Sequence, residues 1–167
     1  MSDDIETQIK IISLAKCLHG FSLAELNELL SVSSKAVWKR GEDIFLEGDL
    51  GRDMFIICAG RVVIWRNNAG SRLELASLSA GESFGEVALV DLGKRSAGAQ
   101  AAEDTLAIRI SYGRLHEVPA AASILYRNIA KALAERLTIA TDVIVFQSQH
   151  GAQISPLEAT GKFQVPK

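Results

Sequence analysis

Between residues 36 and 111 the sequence consists of short apolar or alternating runs, and glycines separate one run from the next. This pattern limits the possible folds more than any other feature of the sequence, because apolar runs of this length are typical of β-strands. The clearest runs are MFIIC at 54–58, RVVIW at 61–65, RLELASL at 72–78 and TLAIRI at 105–110. NNAG at 67–70 predicts a hairpin turn in which Asn and Gly take positive φ angles. Many short strands at regular spacing predict an antiparallel β jelly-roll barrel over residues 36–111.

Helices are predicted on both sides of this barrel. Residues 5–31 carry apolar side chains at helical spacing, and Ser22 followed by Glu25 forms a capping box that starts the second helix there. Pro119 opens a long segment without further Gly or Pro, which predicts a helix over 119–147. The expected fold class is therefore mainly β, with N-terminal helices and a long C-terminal helix.

The long helix is apolar on more than one face. One row is formed by Leu125, Ile129, Leu133 and Leu137, and a second row by Ile139, Val143 and Phe146. A surface helix of a monomer shows one such stripe, so the second stripe predicts a homodimer in which the helix packs on its twin. A helix buried more fully within one chain is the alternative.

Bulk properties set the remaining limits. The chain has 167 residues, which suits one domain at 1–150 followed by a loosely ordered tail at 151–167. A net charge of −2 gives no global attraction to nucleic acid. The two cysteines, Cys17 and Cys58, form no CxxC pair, which favours a reducing compartment and buried apolar thiols. With an acidic N-terminus and no membrane-length apolar run, a cytoplasmic protein without a membrane partner is expected.

The stretch FGEVALVDLGKRSAG at 84–98 places two isolated charges, Glu86 and Arg95, among small and apolar neighbours. Backbone N–H groups at a short helix start there would form an anion nest, and the planar fork of Arg95 would hold a phosphate with help from the Ser96 hydroxyl. The carboxylate of Glu86 repels a phosphate but accepts hydrogen bonds from a sugar hydroxyl. An ion pair between Glu86 and Arg95, with no ligand, is the competing interpretation.

FGEVALVDLGKRSAGAQA resembles the phosphate-binding cassette of the cyclic nucleotide-binding domain family, which includes catabolite-activator-type regulators, protein kinase regulatory subunits and nucleotide-gated channels. Residues 41–65 resemble the first half of the family's barrel, and AERL at 134–137 resembles its long helix. The resemblance implies that Glu86 binds the ribose 2′-hydroxyl and Arg95 the cyclic phosphate. The expected ligand-binding residues are Phe84, Gly85, Glu86, Val87, Ala88, Arg95, Ser96, Ala97 and Thr141, with backbone groups of Gly85, Val87 and Ala88 in the cradle.

Two departures from the family pattern qualify these expectations. Catabolite-activator-type proteins offer a Thr-Ser pair to the base, where this chain has Ala140 and Thr141. Thr141 is therefore the candidate base contact, and the loss of one hydroxyl weakens the distinction between adenine and guanine. The expected ligand is cAMP or cGMP, with cAMP favoured. Only 17 residues follow from Gly151, too few for a helix-turn-helix domain, so no DNA binding is expected from this chain alone. The predicted function is a dimeric sensor module that signals to an unknown protein partner.

Other classes of protein fit the sequence less well. A jelly-roll enzyme needs clustered metal ligands, but His19, His116 and His150 all fall outside the barrel strands, so neither an enzyme nor a metal site is expected. An iron–sulfur cluster needs about four thiolates, whereas a haem held by one His stays open. Two further alternatives remain: a dimerisation scaffold with a degenerate site, and the sensor half of a transcription regulator truncated before its DNA-binding domain.

Overall fold

The computed structural model describes residues 15–150, and side-chain surroundings up to residue 146. The strands are Ser34–Trp38 (β1), Asp43–Phe45 (β2), Asp53–Ala59 (β3), Arg61–Asn68 (β4), Ser71–Ser79 (β5), Ser83–Phe84 (β6), Gly98–Ala101 (β7) and Thr105–Ser111 (β8). The helices are Leu23–Ser31 (α1), Glu86–Asp91 (α2), Tyr112–Leu115 (α3) and Pro119–His150 (α4), and a 3-10 turn spans Lys16–Leu18. The first part of the predicted segment 5–31 and the predicted tail 151–167 lie outside the described residues.

The described strands form two four-stranded antiparallel sheets, with the orders β1-β8-β3-β6 and β2-β7-β4-β5. Neighbours in the sheets are mostly distant in sequence, as in a jelly roll, and the β4–β5 hairpin is an exception. The predicted fold class, an antiparallel jelly-roll barrel with flanking helices, is confirmed. The first strand begins at Ser34, two residues before the predicted barrel, and the short helix α3 was not predicted.

The β4–β5 hairpin corrects one detail of the sequence prediction. Asn68 pairs with Ser71, so the loop contains only Ala69 and Gly70. Both loop residues have positive φ angles, 49° for Ala69 and 87° for Gly70, whereas neither asparagine does. A two-residue loop of this kind needs positive φ at both central positions, and the strand register decides which residues occupy them.

The buried apolar residues form two clusters on opposite sides of the first sheet. One fills the barrel around Phe55, Ile57 and Phe84. The other joins the outer face of that sheet to the helices, and it includes Leu29 of α1 and Leu125 of α4. Both cysteines are buried in this second cluster, as predicted.

Helix α4 changes character along its length. Leu125 and Ile129 are buried, whereas Leu137 is 69% exposed and Ile144 is 65% exposed. The side chain of Asn128 is buried and donates hydrogen bonds of 3.0 and 2.8 Å to the carbonyls of Cys17 and His19, which joins the 3-10 turn to α4. No helix in the described part of the chain is both long enough and apolar enough to span a membrane.

The predicted capping box at the start of α1 is present. Ser22 Oγ accepts a hydrogen bond from the Glu25 backbone N–H at 3.3 Å, and Glu25 Oε2 accepts one from the Ser22 backbone N–H at 2.8 Å. The box satisfies two backbone donors that the first turn of a helix leaves without partners, so the local sequence determines where α1 begins.

Candidate functional site

The cassette, defined as residues 84–98, leaves β6, makes one helical segment and returns into β7. Gly85 stands between β6 and α2 with a φ of 79°, a conformation that side chains rarely adopt. A Cβ atom at Gly85 would lie 2.8 Å from Nη1 of Arg95 and 3.0 Å from the carbonyl oxygen of Asp53. Glycine is therefore required twice at this position, by the backbone angle and by the close approach of Arg95.

Glu86 is the first residue of α2, and it is only 4% exposed. Its Oε1 atom forms an ion pair with Arg136 of α4, whose own side chain is 57% exposed. Its Oε2 atom is buried and has no hydrogen-bond partner. A buried carboxylate oxygen without a donor is costly, so this atom is a ready acceptor for a ligand hydroxyl. The competing interpretation from the sequence, a Glu86–Arg95 ion pair, is not found.

Arg95 lies 6% exposed between the cassette and the barrel wall. Its Nη1 atom donates to the backbone carbonyls of Asp53 at 2.8 Å and Gly85 at 3.1 Å, and Cζ lies 4.0 Å from the centre of the Phe45 ring. Nε is buried without a hydrogen-bond partner. Burial lowers the pKa of the Arg95 guanidinium, and the charges of Asp53 and Asp49 oppose this change. An arginine remains charged in such a setting, so one cation is held here mainly by dipoles and an aromatic face.

Residues of the β2–β3 loop and β3 hold Arg95 in place. The Asp53 carboxylate accepts hydrogen bonds from Arg109 of β8, at 2.9 Å from Nε and 2.6 Å from Nη2. This contact fixes the start of β3, where the backbone carbonyl of Asp53 accepts from Arg95. Gly51 packs against the other side of the guanidinium, where a Cβ atom would lie 2.9 Å from both Nε and Nη2. The sequence analysis did not single out these residues as parts of the site, because a turn glycine and a strand-end aspartate are common for other reasons.

The remaining predicted residues of the cassette surround these two charges. Phe84 is buried, with its ring stacked at 5.1 Å on Phe55, and Ala88 of α2 is also buried. Val87 and Ala97 are half-buried, whereas Ser96 is exposed. The cassette therefore combines buried apolar side chains with an accessible hydroxyl, that of Ser96, next to Arg95 in the sequence.

The candidate base contact lies apart from the other predicted residues. Thr141 is exposed on α4, and its hydroxyl donates to the carbonyl of Leu137 in the same helix at 2.9 Å. It follows Arg136 by five residues, which is about 7.5 Å along a helix axis. Its role as a base contact stays a prediction. Among the described residues, no cluster of three or more His, Cys, Asp or Glu side chains is placed to hold a metal ion.

A jelly-roll barrel with a polar cassette on its side and a long helix across that cassette defines a class of ligand-sensing regulatory domains. A family model, the cyclic nucleotide-binding domain, matches residues 35–121. The chain belongs to this family, and its fold and cassette agree with a cyclic nucleotide-binding sensor domain.

Relatives and solved structures agree with this assignment. The chain is 34% identical over 120 residues to the cyclic AMP receptor protein of Thermus thermophilus, covering 71% of this chain and 56% of that protein. The crystal structure of the Thermus thermophilus catabolite activator protein superposes with a TM-score of 0.74 at 32% identity, covering 80% of this chain and 63% of the other. Glutaminase 1 of Bradyrhizobium diazoefficiens is 32% identical over 127 residues, which are 74% of this chain and 20% of that enzyme. The chain thus spans little more than half the length of the receptor protein and a much smaller part of the glutaminase.

Proposed function

We propose that the cassette binds a cyclic nucleotide, with Glu86 accepting a hydrogen bond from the ribose 2′-hydroxyl and Arg95 holding the cyclic phosphate. The observation that carries this proposal is the presence of two buried opposite charges that do not pair with each other. Each has one buried polar atom without a partner, Oε2 of Glu86 and Nε of Arg95. A ligand that carries a hydroxyl and an anionic phosphate satisfies both atoms.

The proposed phosphate contact exchanges one set of acceptors for a better one. In the structure Arg95 donates to two neutral carbonyls, whereas an anionic phosphate would add direct charge attraction and accept two parallel hydrogen bonds from the guanidinium. Backbone groups of Gly85, Val87 and Ala88 and the Ser96 hydroxyl would supply further donors, and Phe84 and Ala97 would supply apolar walls. All of these residues belong to the cassette, which is continuous in the chain.

cAMP is the proposed ligand in preference to cGMP. Support comes from the Thermus relative, which is named a cyclic AMP receptor protein. The proposed base contact is Thr141, whose hydroxyl would exchange its bond to the Leu137 carbonyl for a bond to the base.

The proposed signal travels through Arg136. This residue connects α4 to Glu86, so a hydroxyl that binds Glu86 changes the environment of the ion pair that positions α4. A ligand shifts such an equilibrium only by its different affinity for the two helix positions. The output is proposed to be regulatory rather than catalytic, and to pass to a protein partner rather than directly to DNA.

Homodimerisation through α4 is proposed as part of this mechanism. Leu137 and Ile144 are strongly exposed, and seven residues separate them, which places both on one side of the helix. A second copy of the same helix would cover this row. Ile139, 41% exposed, is two residues from Leu137 and therefore lies on a different side of the helix.

Isothermal titration with cAMP and with cGMP tests the proposal. We expect micromolar or tighter binding of at least one nucleotide, with cAMP the tighter. Arg95→Ala should weaken binding by about 30-fold or more, since removing one partner of a desolvated charge pair costs about 2–5 kcal/mol. Arg61→Ala is the matched control, because Arg61 is an exposed arginine that pairs with Glu103 on the surface. If neither nucleotide gives heat at millimolar concentration, the scaffold alternative replaces this function.

A further inference from the structure

A cavity of about 330 Å³ lies in the barrel beside Arg95. Of the cassette residues 84–98, all of which are described, Arg95 alone lines it. The rest of the wall comes from β1, β2, β3, β8 and the β2–β3 loop. Trp38, Phe45 and Phe55 supply an aromatic interior, with Trp38 and Phe55 in edge contact at 5.4 Å and Phe45 and Phe55 stacked at 6.2 Å.

The polar end of this cavity has one cation without a carboxylate partner. Arg109 is paired with Asp53, whereas Arg95 has no carboxylate at ion-pair distance among the described side chains. The buried and unpartnered Nε of Arg95 lies against Gly51, which also lines the cavity. Asp49 lies on the same wall and would repel a second negative charge. The lining as a whole is neutral, with two arginines and two aspartates, so a ligand held here by Arg95 can carry at most one negative charge.

The cavity is small, and its size suits a ligand built on a single ring. Its volume stands at the lower end of ordinary ligand pockets, which combine apolar walls with a few polar groups. The entrance is marked by Leu50, which is 85% exposed.

We propose that this cavity is a second ligand site, for a small aromatic monocarboxylate whose ring lies among Trp38, Phe45 and Phe55 and whose carboxylate binds Arg95. A carboxylate offers the two coplanar acceptors that a guanidinium binds best. Arg109, held by Asp53, stands at the same end of the cavity and adds attraction for the anion.

Sharing of Arg95 couples the two sites, and this step rests on the proposed function. While the Arg95 guanidinium binds a carboxylate in the cavity, it is not available to bind a phosphate in the cassette. The two ligands should therefore weaken each other, and the factor must be the same in both directions.

Fluorescence of Trp38 tests the cavity site without using nucleotide. The chain has two tryptophans, so Trp65→Phe leaves Trp38 as the only one. Benzoate and phenylacetate are the probes, and benzyl alcohol is the neutral control of similar size. We expect a saturable change in emission with at least one acid, and about tenfold or more weaker binding of the alcohol. No saturation by either acid up to about 10 mM, or equal binding of the alcohol, would overturn the site.

Filling the cavity distinguishes this site from others on the surface. Ala36 lines it from β1, so Ala36→Leu and Ala36→Phe occupy its space in two steps. Benzoate binding should weaken with the first and fall by about tenfold or more with the second, while cAMP binding persists. Unchanged benzoate binding in both variants would refute the location.

A competition experiment separates the cavity from the proposed function. Saturating benzoate should raise the apparent Kd of cAMP severalfold, and saturating cAMP should raise that of benzoate equally. Unchanged cAMP affinity under saturating benzoate would refute the shared arginine. If benzoate binds but cAMP does not, the cavity proposal stands and the proposed function fails.

Discussion

Replacing Gly85 with alanine separates the two reasons for a glycine at the entry to the cassette. The backbone reason is its φ of 79°, which costs a residue with a Cβ atom about 1–2 kcal/mol. The packing reason is the guanidinium of Arg95, whose Nη1 atom would lie 2.8 Å from the new Cβ. Alanine therefore displaces Arg95 and disturbs the hydrogen bonds that Arg95 donates to the carbonyls of Asp53 and Gly85. One hydrogen bond to a charged group contributes about 1.5–3 kcal/mol.

We expect Gly85→Ala to lower the free energy of unfolding by about 2.5–5 kcal/mol in urea titrations, the backbone cost plus the loss of one of the two hydrogen bonds. Gly70→Ala is the matched control, because its φ of 87° is similar and no atom lies within 4 Å of the Cβ position. It should cost only the backbone part, about 1–2 kcal/mol.

A double-mutant cycle identifies the source of the difference. If the extra cost of Gly85→Ala comes from displacing Arg95, that cost should largely disappear in an Arg95→Ala background, where the guanidinium is absent. The reasoning fails if Gly85→Ala and Gly70→Ala destabilise equally, or if the two substitutions at 85 and 95 are additive. Equal destabilisation by Gly85→Ala and Gly70→Ala would mean that the Arg95 side chain moves aside without loss of stability.

Three further predictions concern the fold and assembly. Arg72 donates to Asp43 and holds the pKa of that carboxyl below its usual value of about 3.9. The stabilisation from this pair is therefore present at neutral pH and is lost as the pH falls below that value. Asp43→Asn should make the free energy of unfolding fall less steeply with decreasing pH in the acid range. Leu137→Glu should shift the mass in light scattering from dimer towards monomer, whereas Leu73→Glu, at an exposed leucine outside α4, should not. Burial raises the pKa of the Cys17 thiol to about 11, so iodoacetamide at pH 8 should label it far more slowly in folded protein than in urea, as mass spectrometry would show.

The strands and helices could be predicted because their signals are local. Alternation in TLAIRI and the Ser22–Glu25 box each concern residues within a few positions, and the structure has β8 and α1 there. The prediction that an asparagine takes a positive φ angle in the hairpin loop was wrong, because the position of the loop depends on strand register. The pairing of Asn68 with Ser71 places the loop at Ala69 and Gly70, and composition alone does not specify that register.

The partners of the two site charges could not be predicted for a related reason. Glu86 pairs with Arg136, fifty residues further along the chain, and no pattern of spacing links a loop to a helix at that distance. Arg95 binds backbone carbonyls, which every residue possesses, so residue types carry no sign of them. The charges themselves were recognisable because isolated ionised groups among small apolar residues are unusual, but only the fold shows what satisfies them.

The way Arg95 is held bears directly on the proposed function. Had it been paired with a buried carboxylate, separating the two would have left an uncompensated charge, at a cost of about 3–5 kcal/mol that any ligand would have to overcome. Carbonyl oxygens and the ring of Phe45 remain neutral when the guanidinium leaves, so the cost is smaller. Both proposed ligands, in the cassette and in the cavity, would therefore meet a lower cost of drawing Arg95 away from its present partners. The carboxylates of Asp53 and Glu86, already engaged by Arg109 and Arg136, are what keep Arg95 available.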